Sequence, residues 1–144
     1  MKDAKQLLLD YLDAGPDAAG ALFAETGTLE LPYLASLGLQ AIYTGPTEIA
    51  QFLTFLHEQL YPGFHFEDVE IPLATPEQAF GQYLIAAMSG ISGKAIRQQF
   101  YGHLVAENGR IARLREAIDV IVAAEAIFPG GLADVAKARA DEAS

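Results

Sequence analysis

The second half of the chain contains long stretches in which apolar and polar residues alternate, and this pattern restricts the fold more than any other feature. An alternation with a period of two predicts β-strands, because successive side chains of a strand point to opposite faces of a sheet. Turn sequences separate the stretches, and Asn108-Gly109 between two of them is typical of a tight hairpin. We predict four long strands, at 64–73, 79–88, 94–106 and 110–122.

The first half of the chain has the apolar periodicity of amphipathic helices, and its helices are bounded by glycine and proline. We predict helices at 4–14, 16–24, about 44–61 and 123–140, the last interrupted at 129–131, and short strands at 28–33 and 38–43. Helices followed by a meander of long strands predict an α+β fold, with helices on one face of a curved antiparallel sheet.

The composition limits the class of protein. A length of 144 residues, of which 51% are hydrophobic, suits one domain with a buried core. The chain has no cysteine, which excludes disulfides and thiol chemistry. No apolar run approaches the roughly 18 residues of a membrane span, and Asp10 and Asp13 interrupt the apolar stretch near the start. We therefore expect a cytoplasmic protein with neither a membrane partner nor a cleaved signal peptide.

The charges are unevenly distributed. The 19 acidic and 9 basic residues give a net charge of −10, which argues against a nucleic-acid partner. No Lys or Arg occurs between Gln6 and Gly93, and five basic residues cluster beyond: Lys94, Arg97, Arg110, Arg113 and Arg115. Either the charge serves solubility, or this basic stripe meets an anionic ligand or the acidic surface of a second subunit.

Three segments carry a family resemblance. They are Leu22-Phe23-Ala24-Glu25 followed by Leu29-Glu30-Leu31-Pro32-Tyr33, then Tyr43-Thr44-Gly45-Pro46-Thr47-Glu48-Ile49, and finally Glu107-Asn108-Gly109-Arg110-Ile111 followed by Arg115-Glu116. In this order and spacing, the chain resembles the SnoaL-like branch of the NTF2-like superfamily, which is related to ketosteroid isomerases and polyketide cyclases. The resemblance covers about residues 5–128 and leaves a helical tail at 129–144, within a single domain of residues 1–144.

The resemblance implies an NTF2-like, or cystatin-like, cone: a curved antiparallel sheet wrapped around a long helix, with an apolar pocket inside. It also implies a homodimer built on the outer face of the sheet. The isomerase residues are missing, however. The position of the general-base Asp is Leu31, that of the oxyanion tyrosine looks like Leu8, and the carboxylic acid that shares the oxyanion role falls near Tyr101. Steroid isomerisation by that mechanism is therefore not expected.

Glu116 is the first candidate catalytic residue. Strand alternation groups it with Ala112, Leu114 and Ile118 on an apolar face, where a lone carboxylate is costly unless it is paired or protonated. Burial would raise its pKa toward the range useful for acid–base catalysis. Phenazine-pathway members of the superfamily resemble this chain in carrying a functional Glu here. Alternatively, Glu116 is held by a buried hydrogen bond or pairs with an arginine in solvent.

The preceding strand supplies a second pair of candidates. Its apolar set places Gln98 beside Glu116 as a hydrogen-bonding group and leaves His103 on the polar face. A single bulge would reverse the faces and make His103 an acid–base partner for Glu116. Predicted ligand-binding residues that would line an apolar pocket are Tyr33, Phe52, Tyr83, Phe100 and Leu114.

Two functions fit the sequence. The first is a cofactor-independent cyclase- or isomerase-type enzyme that acts on a carbonyl-bearing, largely apolar metabolite, with Glu116 as the acid–base group. The second is a non-catalytic ligand-binding or dimeric accessory protein, which the missing isomerase residues favour. The sequence has no His-x-His or His-x3-His spacing and no glycine-rich phosphate loop, so we expect neither a metal nor a cofactor.

Overall fold

The computed structural model describes residues 1–143, which contain five α-helices and a six-stranded sheet. The α-helices are α1 Ala4–Asp13, α2 Pro16–Gly20, α3 Gly45–Phe55, α4 Val120–Ile127 and α5 Leu132–Ala143. A 3-10 helix spans Pro32–Leu37, and a π-helical turn at Leu56–Leu60 continues α3. The strands are β1 Phe23–Glu30, β2 Ile42–Thr44, β3 Glu67–Ala74, β4 Gln78–Met88, β5 Ala95–Glu107 and β6 Arg110–Ile118.

The strands form one curved, unclosed sheet in the order β2-β1-β6-β5-β4-β3. Within residues 1–143 the pairings are antiparallel except that between β1 and β6, which is parallel. The β5 strand is central to the site, because it pairs with β4 from Ala95 to Val105 and with β6 from Phe100 onward. The α+β class expected from the sequence is confirmed, with one parallel pairing added.

Several element boundaries differ from those predicted, each for a local reason. The predicted helix at 16–24 ends at Gly20, because the chain from Phe23 onward pairs with β6 as β1. Pro32 begins a 3-10 helix instead of ending a strand. The last strand stops at Ile118, because the carboxylate of Asp119 accepts hydrogen bonds from two backbone N–H groups and caps α4.

The helices pack on the concave face of the sheet and enclose the core. The α1 helix lies against β4 and β5, α3 lies against β1, and α4 lies against β5. Burial of large apolar side chains on both layers supplies the main stabilisation of this arrangement. Fully buried members of the core include Leu8, Leu29, Ile49, Ile85 and Leu104. Within residues 1–143 no helix combines the length and apolar character that crossing a bilayer requires.

Candidate functional site

A cavity of about 440 Å³ lies between the concave face of the sheet and the helices. Two polar side chains in its wall, Gln98 and Glu116, are buried, with 3% of each exposed. Three exposed polar residues, Gln40, Glu48 and Gln51, also line it and form what we call the rim. Aromatic rings dominate the wall between: Tyr11, Tyr43, Phe52, Phe55, Tyr61, Phe66 and Phe100. Apolar walls with a few placed polar groups are typical of small-molecule sites.

Glu116 reaches the cavity from the inner face of β6. A register irregularity at Val105/Ala106 lies opposite the start of β6, so Ile111 and Leu114 are both buried although three residues apart. From Leu114 onward the side chains of β6 alternate regularly between the two faces, so the side chain of Glu116 lies on the inner face. Burial raises the pKa of its carboxyl group to about 7, while the hydrogen bond from Tyr83 acts in the opposite direction.

Tyr83 of β4 holds the carboxylate of Glu116. Its hydroxyl donates to Oε2 of Glu116 over 2.5 Å, and its ring is stacked on Phe100 and edge-on to Phe66. The space for the hydroxyl comes from Gly102, which pairs with Glu116 on the neighbouring strand, since a Cβ there would collide with the hydroxyl oxygen. Tyr83 is buried and does not itself line the cavity.

Tyr11 of α1 is a site residue that the sequence analysis did not select. Its side chain is 3% exposed and lines the cavity, and its hydroxyl makes no hydrogen bond with the rest of residues 1–143. The negative charge of Glu116 contributes to raising the pKa of Tyr11, after the larger effect of burial. Tyr11 lies on the apolar stripe of α1, and that stripe alone does not distinguish a cavity-lining residue from a core residue.

Gln98 of β5 does not lie directly beside Glu116, where the sequence analysis placed it, because the residue that pairs with Glu116 is Gly102. Gln98 is held by a second tyrosine. The hydroxyl of Tyr61 donates to Oε1 of Gln98 over 2.7 Å. The amide nitrogen of Gln98 lies 3.5 Å from the carbonyl oxygen of Asp119, which is a long contact. Because the amide oxygen already accepts from Tyr61, the amide N–H groups are the donors that Gln98 can offer to a ligand in the cavity.

The other candidates named from the sequence are dispersed. Phe52 and Phe100 line the cavity, whereas Leu114 is buried in the core beside it. Tyr33 lies in the 3-10 helix, is 49% exposed and does not reach the cavity. His103 lies on the outer face of the sheet, with Nε2 2.7 Å from Oε1 of Gln78. The β4–β5 register is continuous past His103, so no bulge turns its ring toward Glu116.

The residues at the positions implied by the resemblance to ketosteroid isomerases can also be located in the structure. Leu31, at the position of the general base, lines the cavity, while Leu8 is fully buried. Tyr101 is 44% exposed on the outer face, where its ring stacks on Phe80. Residues 1–143 contain no group of three His, Asp or Glu side chains placed to hold a metal ion.

Comparisons with known proteins identify the fold. No family model matches the chain, and no curated protein matches it in sequence. A phenazine biosynthesis-related protein from Pseudomonas aeruginosa superposes with a TM-score of 0.73 at 15% identity, over 85% of this chain and 83% of that one. An NTF2-like protein from Burkholderia thailandensis superposes with a TM-score of 0.71 at 16% identity, over 88% of this chain and 98% of that one. A candidate polyketide cyclase from Pseudomonas putida superposes with a TM-score of 0.70 at 16% identity, over 88% of this chain and 99% of that one.

The chain therefore has the NTF2-like fold, as the resemblance implied. Its structural relatives include ketosteroid isomerase-like, polyketide cyclase and phenazine-related proteins. At these sequence identities the structural similarity defines the fold, and the chemistry has to be inferred from the residues of the site.

Proposed function

We propose that the protein is a cofactor-independent enzyme that moves a proton on a carbonyl-bearing, largely apolar small molecule, in the manner of cyclases and isomerases. One observation carries the proposal: a buried carboxyl group, Glu116, lines an aromatic cavity and has a pKa of about 7. A carboxyl group with that pKa takes up and releases a proton near neutral pH, as general acid–base catalysis requires.

The reaction begins with Glu116 ionised. Its carboxylate removes a proton from a carbon next to the carbonyl group of the ligand, and the electrons of the broken C–H bond pass into an enolate. In a ligand with a C=C bond conjugated to this enolate, the protonated Glu116 then returns the proton at the far carbon of the conjugated system, the double bond shifts, and an isomerisation is complete. In a cyclisation, the enolate carbon instead attacks a second carbonyl group and Glu116 protonates the new oxygen.

Two groups that line the cavity can donate hydrogen bonds to the enolate oxygen. The hydroxyl of Tyr11 makes no hydrogen bond with the described protein and can donate to a ligand. The amide N–H groups of Gln98 can do the same while Tyr61 holds the amide oxygen. Preorganised donors of this kind contribute strongly to catalysis, because they are already aimed at the charge that develops.

Hydrogen–deuterium exchange into a simple ketone tests the proposal without knowledge of the natural substrate. The probe is 2-tetralone, a flat ketone with acidic C–H bonds, and NMR follows the exchange of these protons in D₂O. We expect the protein to accelerate exchange and Glu116→Gln to reduce the acceleration about 100-fold or more. Glu58→Gln, which changes an exposed carboxylate outside the cavity, is the matched control and should have no effect.

The second candidate function is non-catalytic binding of the same kind of ligand. It is favoured by Leu31, an apolar residue in the cavity wall at the position where the isomerase resemblance implies a base. Binding of 2-tetralone by the wild-type protein without accelerated exchange would support it and contradict the enzyme.

A homodimer through the outer face of the sheet is also proposed. This face presents the stacked rings of Phe80 and Tyr101, 37% and 44% exposed, and the exposed side chains of Arg97 and Arg115. Sedimentation should show a dimer that Tyr101→Glu dissociates, while Ile42→Glu on the distant edge strand β2 leaves it intact. Cytoplasmic location and a single domain over residues 1–144 remain predictions from the sequence.

A further inference from the structure

The arginines of β5 and β6 lie away from the cavity. On β6, Glu116 lines the cavity, whereas Arg113 and Arg115, which precede it on the strand, do not. On β5, Gln98 lines the cavity and the adjacent Arg97 is exposed on the outer face. Among residues 1–143, no Lys, Arg or His contributes to the cavity wall, and its two ionisable carboxylates are Glu48 and Glu116.

The two helix N-termini beside the cavity each carry a carboxylate of the chain, which disfavours an anion there. At the start of α3, Glu48 at the rim accepts the backbone N–H of Thr44 over 2.5 Å. At the start of α4, Oδ1 of Asp119 accepts the backbone N–H groups of Ile121 and Val122. Free N–H groups at a helix start are a common anion site, and here each start already carries a carboxylate of the chain, whose negative charge opposes a bound anion.

Two members of the basic stripe are paired with carboxylates outside the cavity wall. Arg115 pairs with Glu30 at 2.8 Å, and Lys94 pairs with Glu125 at 2.5 Å. A negatively charged ligand would therefore lose its hydration in the cavity, gain no opposite charge and face two carboxylates. An uncharged ligand avoids this cost, and its carbonyl oxygen can still accept from Tyr11 or Gln98.

From this arrangement we infer that the cavity selects uncharged carbonyl compounds and rejects carboxylates and phosphates of the same shape. The carbonyl part of this inference rests on the proposed function. The rejection of anions rests on the distribution of charged side chains alone, so the two can fail separately.

Three flat probes of nearly equal shape test the selectivity: 2-naphthamide, 2-naphthoate and 2-naphthamidine, which are neutral, anionic and cationic. Their affinities are measured by calorimetric titration above the pKa of Glu116, so that this carboxyl group is ionised. We expect 2-naphthamide to bind and 2-naphthoate to bind at least about tenfold more weakly, a difference of about 1.4 kcal/mol. The cationic probe should not show the penalty of the anionic one.

Variants assign the penalty to the two carboxylates. Glu48→Gln and the double variant Glu48→Gln/Glu116→Gln should progressively raise the affinity for 2-naphthoate relative to 2-naphthamide. Glu58→Gln removes the same charge from outside the cavity and should leave the ratio unchanged. The Glu48 variant alone keeps the measurement valid if the double variant does not fold, because Glu48 is exposed.

Equal binding of the anion and the amide by the wild-type protein would overturn the inference, as would absence of binding by the amide. Selective binding of the amide without exchange of ketone protons would support the charge selectivity while contradicting the proposed enzyme. Accelerated exchange together with equal binding of anion and amide would support the proposed enzyme and contradict the charge selectivity.

Discussion

The hydroxyl of Tyr83 donates a 2.5 Å hydrogen bond to Oε2 of Glu116, and both side chains are almost entirely removed from solvent. A hydrogen bond to the ionised form of an acid favours that form, so this contact lowers the pKa of Glu116 against the effect of burial. Tyr83 thus adjusts the acidity of the candidate catalytic group from outside the cavity wall.

Removing this hydroxyl should shift the pH dependence of the proposed reaction. In Tyr83→Phe the ionised carboxylate loses a donor, so the pKa of Glu116 should rise above its value of about 7. We expect the ascending limb of the exchange rate with 2-tetralone to move up by as much as about one pH unit, equivalent to roughly 1.4 kcal/mol. Tyr101→Phe, which changes an exposed tyrosine on the outer face, is the control. A downward shift would contradict the assigned effect of the hydrogen bond.

Glu116 should also make stability depend on pH. Its pKa is about 7 in the folded protein against a reference value of 4.5, so the folded state holds the proton more tightly than the unfolded state. The stabilisation is fully present below pH 4.5, decreases as the pH rises and is lost once the pH has passed about 7. The interval from 4.5 to about 7 corresponds to about 3 kcal/mol.

Denaturant unfolding of the wild-type protein and of Glu116→Gln, compared at each pH, measures this effect. Other ionisable groups are common to the two proteins and largely cancel in the difference. The free energy of unfolding of the wild-type protein should fall relative to that of the variant across this interval. A difference that stays constant from acid to alkaline pH would show that the pKa of Glu116 is not raised by folding.

Gly102 should be required for the contact between Tyr83 and Glu116. A Cβ at this position would collide with the Tyr83 hydroxyl oxygen and approach its Cζ to 3.1 Å. Gly102→Ala should therefore destabilise the fold by about 1–3 kcal/mol, as overpacking of a core does. In the Tyr83→Phe background the oxygen is gone, so the same substitution should cost clearly less.

Urea unfolding of the two single variants and the double variant gives the coupling between the two sites. Gly15→Ala, which has open space around its Cβ, controls for replacing a glycine as such. Equal costs of Gly102→Ala in both backgrounds would place the strain at an atom other than the hydroxyl.

Alternation along single strands accounts for what could be predicted of this site. It placed Gln98 and Glu116 on an inner face and His103 on the outer one, and the long strands themselves fixed the α+β class. Contacts between distant segments could not be predicted in this way. The bond from Tyr83 to Glu116 depends on the register of three strands and on Gly102 between them, and no pattern within one strand contains that register.

The same limit explains why neither the place of Tyr11 in the cavity wall nor the helix boundaries could be predicted from the sequence. Tyr11 shares an apolar stripe with Leu8, and the stripe predicts burial for both without showing that a cavity forms beneath only one. Phe23 and the residues after it leave the helical state because β6 offers them a pairing partner far along the chain. Local propensity is a weak guide where tertiary contacts of this kind compete with it.

Tyr61 should act as a positioning residue for Gln98. Its hydroxyl donates to Oε1 of Gln98, which orients the amide so that its N–H groups remain for a ligand. In Tyr61→Phe the amide can rotate and present its oxygen to the enolate, which repels it. We expect a loss of about tenfold in the rate of 2-tetralone exchange, mostly in kcat, because the enolate forms only as the reaction proceeds.

A double-variant comparison separates this role from a general effect on packing. In a Gln98→Leu background there is no amide to orient, so Tyr61→Phe should have little further effect on the rate. Thermal unfolding of the same proteins shows whether the rate change follows stability instead. If Tyr61→Phe lowers the rate equally with and without Gln98, Tyr61 acts on the ligand or the fold directly and the positioning role is wrong.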